Sequence, residues 1–398
     1  MRAYLILSTV IFLTYLATGT TGPFLPLYAG SLGASLVEVA AVVGGFSTVS
    51  LVAGLFWGRA SDRLGRRKPF LVGAMTALVA TNLLASFATA WWTLLALRLV
   101  EGAAVGASGV ASLALMGDIL EGNPRRARLV GYYRMSGSLA FSLAIAAAGY
   151  AAERFGFGVT FRLAAGIYLA TFLIALFLPE PAERRTSARR EASFGALLRG
   201  PLRPLLVIAA SFGLPFAAVY SVWPIWIAES LGLGRAVFGR LWGIAAFVEV
   251  PCMALAGYVT DRFGYRPTFL VGLALFAGVF GLYLVAPEVA APLGLTTLDV
   301  LVGAQVLRGL AYAAFTATAL TMAIEVAPAD ARGRASGLFA TAQSLAQIVG
   351  SYAGGPLATA AGYRTLFGTA SAILLLGAGY AGLALRKSAG AARPERAR

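Results

Sequence analysis

Glu249 stands in the middle of a long apolar run with no acid or base one helical turn away, and Pro251 just after it removes a backbone donor. A carboxyl isolated in a low-dielectric medium favours its neutral form, which suits it to take up and release protons near neutral pH. The chain contains no histidine, so any proton chemistry in that range falls to carboxylates. Four further ionisable residues interrupt apolar runs: Arg98, Glu101, Arg134 and Arg308. Burying an unpaired charge in hydrocarbon costs at least a few kcal/mol, so such groups line cavities or find partners. Arg98 and Glu101 are three apart, share a helical face and can pair within one helix. The lesser alternative is that Glu249 is a protonated carboxyl bonded to a neighbouring helix, or the permanent partner of Arg308 or Arg134.

Polar and aromatic residues that can wall a cavity accompany these charges. Tyr220, Trp223 and Trp226 occupy a run broken by Pro215 and Pro224, and a broken aromatic helix suits a substrate site. Tyr312, Tyr15 and Trp242 can add to it. Gln343 and Gln347, one turn apart, offer neutral donors and acceptors to a substrate or to a neighbouring helix. For Tyr28 and Trp226, near the ends of their runs, an interfacial aromatic belt is the preferred expectation.

The elements that hold these groups must be membrane spans. Of 398 residues 59% are hydrophobic and 12% charged, with a mean hydropathy of +0.79, more apolar surface than a water-soluble chain covers. Twelve apolar runs near the required 20 residues are predicted: 5–28, 37–57, 70–88, 93–116, 129–151 and 162–178, then 205–228, 238–256, 268–285, 298–324, 337–358 and 366–385. Each is expected to be a helix, which satisfies its own backbone in lipid. A cleavable signal in the first run is the weaker alternative, because the run is too long for a signal core. Basic residues crowd alternate connections: Arg59, Arg63, Arg66, Arg67 and Lys68; Arg125, Arg126 and Arg128; Arg184, Arg185, Arg189 and Arg190. Those connections and both termini are expected in the cytoplasm. The net charge of +15 then reflects topology rather than a nucleic-acid surface, and the only cysteine, Cys252, excludes an intrachain disulfide or thiolate cluster. The polar interval within 180–203 is the expected linker between halves 1–179 and 204–398, with 194–198 able to lie on the inner membrane surface.

Those halves share a motif. Gly58-Arg59-Ala60-Ser61-Asp62-Arg63-Leu64-Gly65-Arg66-Arg67 aligns without a gap on Gly257-Tyr258-Val259-Thr260-Asp261-Arg262-Phe263-Gly264-Tyr265-Arg266, at an offset of 199 (257 minus 58) that also pairs Gly33 with Gly232. So long a period marks duplicated domains. Both copies are expected in charged breaks between spans, with Gly58 and Gly257 letting a neighbouring helix approach and Gly65 and Gly264 taking positive φ. Asp62 and Asp261, beside Arg63 and Arg262, can cap a helix N-terminus or join an ion-pair network. A second echo follows: Asp118, Pro124 and Arg128 against Glu325, Pro328 and Arg332, readable as capping or as gating.

Twelve spans, two six-span repeats and the doubled Gly-x-x-x-Asp-Arg-x-Gly motif resemble the major facilitator superfamily over the whole chain. The resemblance implies an all-α membrane protein, two six-helix bundles related by pseudo-two-fold symmetry, working as a secondary transporter by alternating access. It implies that the motif latches the cytoplasmic ends of the halves, with a weaker second copy because Tyr265 and Pro267 replace Arg66 and Lys68. Arg98-x-x-x-Gly102 is similar to a span-four element of drug and proton antiporters, where the arginine is associated with proton coupling. The span-five Gly-Pro pair of those antiporters is missing, and Gly354-Gly355-Pro356 falls in span eleven instead. The leading expectation is proton-driven efflux of small hydrophobic or amphipathic compounds by a monomer in the cell membrane, with no cofactor, no metal and no enzymatic activity. A sugar or lipid-linked exporter, or an importer, is the alternative; a membrane sensor or enzyme ranks last.

Overall fold

Proline and glycine divide the chain into its helices. The computed structural model describes residues 1–120, 125–179, 202–326 and 332–385. The first span is α1 (Arg2–Thr21) and α2 (Leu25–Ser31), interrupted by a 3-10 turn at Pro23. Then come α3 (Leu36–Leu64), α4 (Lys68–Ala85), α5 (Trp91–Ile119), α6 (Arg126–Phe155) and α7 (Phe157–Ala175). Span seven is α8 (Arg203–Tyr220), α9 (Trp223–Ile225) and a π turn at Trp226–Ser230, broken before Pro224. The rest are α10 (Gly234–Phe263), α11 (Tyr265–Ala290), α12 (Thr297–Glu325) and α13 (Arg332–Ala384).

Eleven candidate spans occur among the described residues, and the longest, within α13, holds two joined at Gly362. The twelve expected spans are therefore present. Local chemistry sets the boundaries. Ser35 and Glu38 form a capping box at the start of α3, as Thr296 and Asp299 do for α12. Gly65 ends α3 in the left-handed conformation. No breaker precedes it, so Gly58 to Leu64 stay helical; the first part of each motif extends a helix instead of lying in a loop, and α10 likewise runs through Asp261 to Phe263.

The chain divides into two compact units, Met1–Arg189 with Ser221–Gly243, and Arg190–Tyr220 with Ile244–Arg398. In the first, α3 packs on α5, α1 on α6 and α7, and α4 on α5 and α7. Its core is largely aliphatic, with Leu7, Met75, Leu78 and Leu115 buried around Tyr168. In the second, α8 packs along α13 and α11 lies against α12 and α13. Its core is aromatic: Phe212 stacks on Phe315 at 3.8 Å and meets Phe276 edge-on at 5.1 Å. The expected linker lies outside the described residues up to 201, as does the basic tail after 385.

Candidate functional site

The Arg98 guanidinium and the Glu101 carboxylate form an ion pair at 2.6 Å on one face of α5, and both residues are buried. The guanidinium lies over the Phe46 ring, 4.1 Å from its centre. The next residue explains the depth: a Cβ on Gly102 would lie 2.7 Å from the Phe46 carbonyl oxygen, so the α3 and α5 backbones touch there. The pair is thus closed within its own helix.

The second unit has the same socket with different contents. A Cβ on Gly309 would lie 2.6 Å from the Ala245 carbonyl oxygen and 2.8 Å from the Val248 Cβ. Ala245 matches Phe46 at the offset of 199, while Gly309 matches Gly102 at 207 (309 minus 102). At that register Gln305 and Arg308 replace Arg98 and Glu101. Arg308 donates to the side-chain Oε1 of Gln305 at 3.0 Å, and the Gln305 Nε2 donates to the Tyr283 hydroxyl at 2.6 Å. Tyr283 and Tyr220 share a hydroxyl contact at 3.3 Å, and the guanidinium lies 4.8 Å from the Tyr220 ring centre. Glu249, next to the Val248 that meets Gly309, is half-buried and interacts electrostatically with Arg308. Of the two bases weighed as partners of Glu249, Arg308 lies near enough to act on it electrostatically; the side chain of Arg134 lies outside the described part of the structure.

Gln305 and Tyr283 were not anticipated. At the offset of 199 the end of α4, Ala85, would fall at 284, whereas α11 runs on to Ala290, so the 199 register is lost before the tenth span and the match there is found at 207. Carrying the repeat past that point would have found Gln305.

The aromatic candidates separate. Tyr220 joins the polar network of the second unit, and Tyr312 lies near Phe212 and Phe216, at 5.9 and 5.6 Å. Gln343 and Gln347 are half-buried, with α13 running so close to Gly213 that a Cβ there would lie 3.0 Å from the Gln343 carbonyl oxygen. Trp223 instead belongs to the first unit, fully buried with Phe238 at 5.6 Å and Trp242 at 5.9 Å. Tyr28 and Trp226 are buried rather than belt residues. Tyr28 packs on Phe157 and Phe161 and donates to the Ala85 carbonyl at 2.8 Å, so its hydroxyl is used in helix packing.

At the first copy of the motif Asp62 joins an ion-pair network, one of the two readings open to it. Asp62 pairs with Arg67 at 3.3 Å, and Arg67 also holds Asp118 at 2.8 Å. Lys68 donates to the Leu176 carbonyl at the end of the sixth span. In the second copy Tyr265 donates to Glu325, and Arg266 donates to the Gly382 carbonyl at the end of the twelfth. Each copy thus spends two successive residues on the same two tasks, an acid and a helix-end carbonyl. Arg262 bonds Tyr258 of its own helix. Gly58 meets Val110, at 3.2 Å from a Cβ, as expected of a close approach, but Gly257 meets nothing within 4 Å, against that expectation. Asp118 and Glu325 are both engaged; Pro124 and Pro328, and the side chains of Arg128 and Arg332, lie outside the described part.

The family model of the Major Facilitator Superfamily matches residues 7–247 and 205–398, nearly the whole chain. This chain belongs to the Major Facilitator Superfamily. Among its superfamily relatives, the sugar efflux transporter A of Escherichia coli is 28% identical over 252 residues, spanning 60% of this chain and 62% of that protein, less than two thirds of its length. The multidrug resistance protein MdtG of Klebsiella pneumoniae is 26% identical over 97% of this chain and 94% of its own length. Of solved structures, a bacterial homologue of the human lysosomal transporter Spinster superposes with a TM-score of 0.80 at 15% identity, covering 100% of this chain and 98% of its own. The nucleoside transporter NupG, as its D323A mutant, gives 0.77 at 15% identity, covering 98% and 100%. These superpositions establish the superfamily fold, and the chain is a multi-pass membrane protein.

Proposed function

We propose that this chain is a proton-coupled secondary transporter that exports small hydrophobic or amphipathic compounds across the cell membrane by alternating access. The carrying observation is the asymmetry of the two sockets. In the first unit the charges close on each other within α5, whereas Glu249 and Arg308 sit on different helices of the second unit. A pair split between helices can be made and broken by a proton on the carboxylate. Protonating Glu249 leaves Arg308 to Gln305 and Tyr220, and deprotonation restores the ionic partner. The aromatic surroundings of Tyr312 and Phe216 favour an apolar or amphipathic cargo, and the full-length similarity to a multidrug resistance protein supports that class. In this reading halves 1–179 and 204–398 rock about the 180–203 linker, both termini are cytoplasmic, the chain acts as a monomer and no cofactor is needed beyond the proton gradient.

A sugar exporter is the second reading, supported by the hydroxyl and amide network of Tyr220, Tyr283 and Gln305 and by the partial similarity to a sugar efflux transporter. Proteoliposomes carrying Glu249→Gln test the coupling. The variant should lose transport driven by an imposed pH gradient while retaining substrate binding; gradient-driven transport at the parent rate would remove Glu249 from the mechanism. A panel of lipophilic cations and sugars in the same assay separates the two cargo classes.

A further inference from the structure

The octet that closes α10 occurs a second time, at the end of α6. Gly149-Tyr150-Ala151-Ala152-Glu153-Arg154-Phe155-Gly156 repeats Gly257-Tyr258-Val259-Thr260-Asp261-Arg262-Phe263-Gly264, with five of eight residues identical and the acid kept in sign. The geometry repeats as well. Arg154 donates to the Tyr150 hydroxyl at 2.7 Å, and Arg262 to that of Tyr258 at 3.0 Å. The two guanidiniums lie 5.8 and 5.7 Å from the rings of Phe155 and Phe263. Gly156 (φ 80°, ψ 169°) and Gly264 (φ 86°, ψ 172°) end both octets in one conformation.

The two octets sit at opposite ends of the transmembrane path, because the end of α6 meets the beginning of α10 rather than its close. Glu153 accepts the Ala236 N–H in the first turn of α10 at 2.7 Å, an arrangement favoured by the positive end of the helix. Arg235 returns a hydrogen bond to the Ala152 carbonyl at 3.2 Å and lies 4.2 Å from the Phe157 ring centre. One turn on, the helices cross on glycine: a Cβ on Gly149 would lie 3.0 Å from the Gly239 Cα, and one on Gly239 would lie 2.9 Å from the Ile145 carbonyl oxygen. Three independent contacts thus bind α6 to α10.

We infer that Gly149–Gly156 is a further latch of this transporter, holding α6 to the start of α10 through Glu153 at the face opposite the Asp62 and Asp261 motifs. Alternating access then uses one octet for both faces: the acid of one copy secures the outer ends of the helices, and its relatives act at the other side. The inference rests on the transport reading above, so its test measures conformation rather than transport.

In a Cys252→Ala background, spin labels at Val37 and Ala361, both at the Glu153 end and outside the octet, report the separation of the outer helix ends. Glu153→Ala, at an exposed position, should shift the ratio of near to far populations about five-fold toward far, the effect of losing one helix-capping carboxylate. Glu153→Asp should restore most of the parent distribution, and Asp62→Asn should move the ratio the opposite way. A Glu153→Ala distribution that superimposes on the parent, while Asp62→Asn shifts it, overturns the latch and leaves the transport reading standing. If neither variant moves the distances, the alternating-access reading falls with it.

Discussion

Arg98 with Glu101, and Gln305 with Arg308, occupy the same place in two copies of one design. Each pair sits just before a glycine that touches a carbonyl of the neighbouring helix, at Phe46 or Ala245. The backbone socket has been kept and its chemistry exchanged. What persists is the close helix crossing, which belongs to the fold; what differs is whether the charge is answered inside its own helix. In the first unit it is. In the second, Arg308 is met by the neutral Gln305 of its own helix, and the carboxylate whose field it shares, Glu249, stands on another helix.

The largest test of that contrast is to open the closed pair. Glu101→Leu strands the buried Arg98 guanidinium and should cost about 3–5 kcal/mol, whereas the double variant Arg98→Leu with Glu101→Leu should recover most of it. Thermal unfolding in detergent measures both, and a Glu101→Leu protein as stable as the parent would mean that the pair is not buried as described. Filling the sockets comes next. Gly102→Ala and Gly309→Ala each force a methyl against a backbone oxygen and should cost about 1–3 kcal/mol, while Gly257→Ala, with open space, should change the melting temperature little. Equal shifts at all three positions would deny the sockets their role. The smallest effect concerns the two motif copies. Arg67→Gln removes an ionic link and Tyr265→Phe a hydroxyl one, each worth about 1 kcal/mol at these half-buried positions. Only the first should fade at high salt when inward and outward populations are followed by spin-label distances.

Much of this architecture is legible in the chain. Spans announce themselves because a lipid-facing helix needs about 20 apolar residues, and the doubled motif exposes the duplication. Glu249, Arg98 and Arg308 stand out for the cost of burying charge. Gln305 and Tyr283 do not, since a neutral side chain in an apolar run carries no comparable warning, and the longer α11 hides their alignment with the first half. Tyr28 and Trp226 misled for another reason. Position near a span end gives depth in the membrane, whereas burial depends on which neighbour lies alongside, and that is a tertiary fact. The extra helical turns at Asp62 and Asp261 were obscured by their charge, which reads as loop although nothing breaks the helix before Gly65 and Gly264.

Gly156 and Gly362 each form the whole connection between two successive spans, with φ of 80° and 79° and no loop residue to spare. A joint of zero length cannot absorb slack. Spans five and six, like spans eleven and twelve, therefore stay a single residue apart at that end, and any change in the angle between them must be taken up by the φ and ψ of one glycine. Inserting even a few flexible residues after Gly362 would uncouple those spans without altering a single side chain inside the membrane.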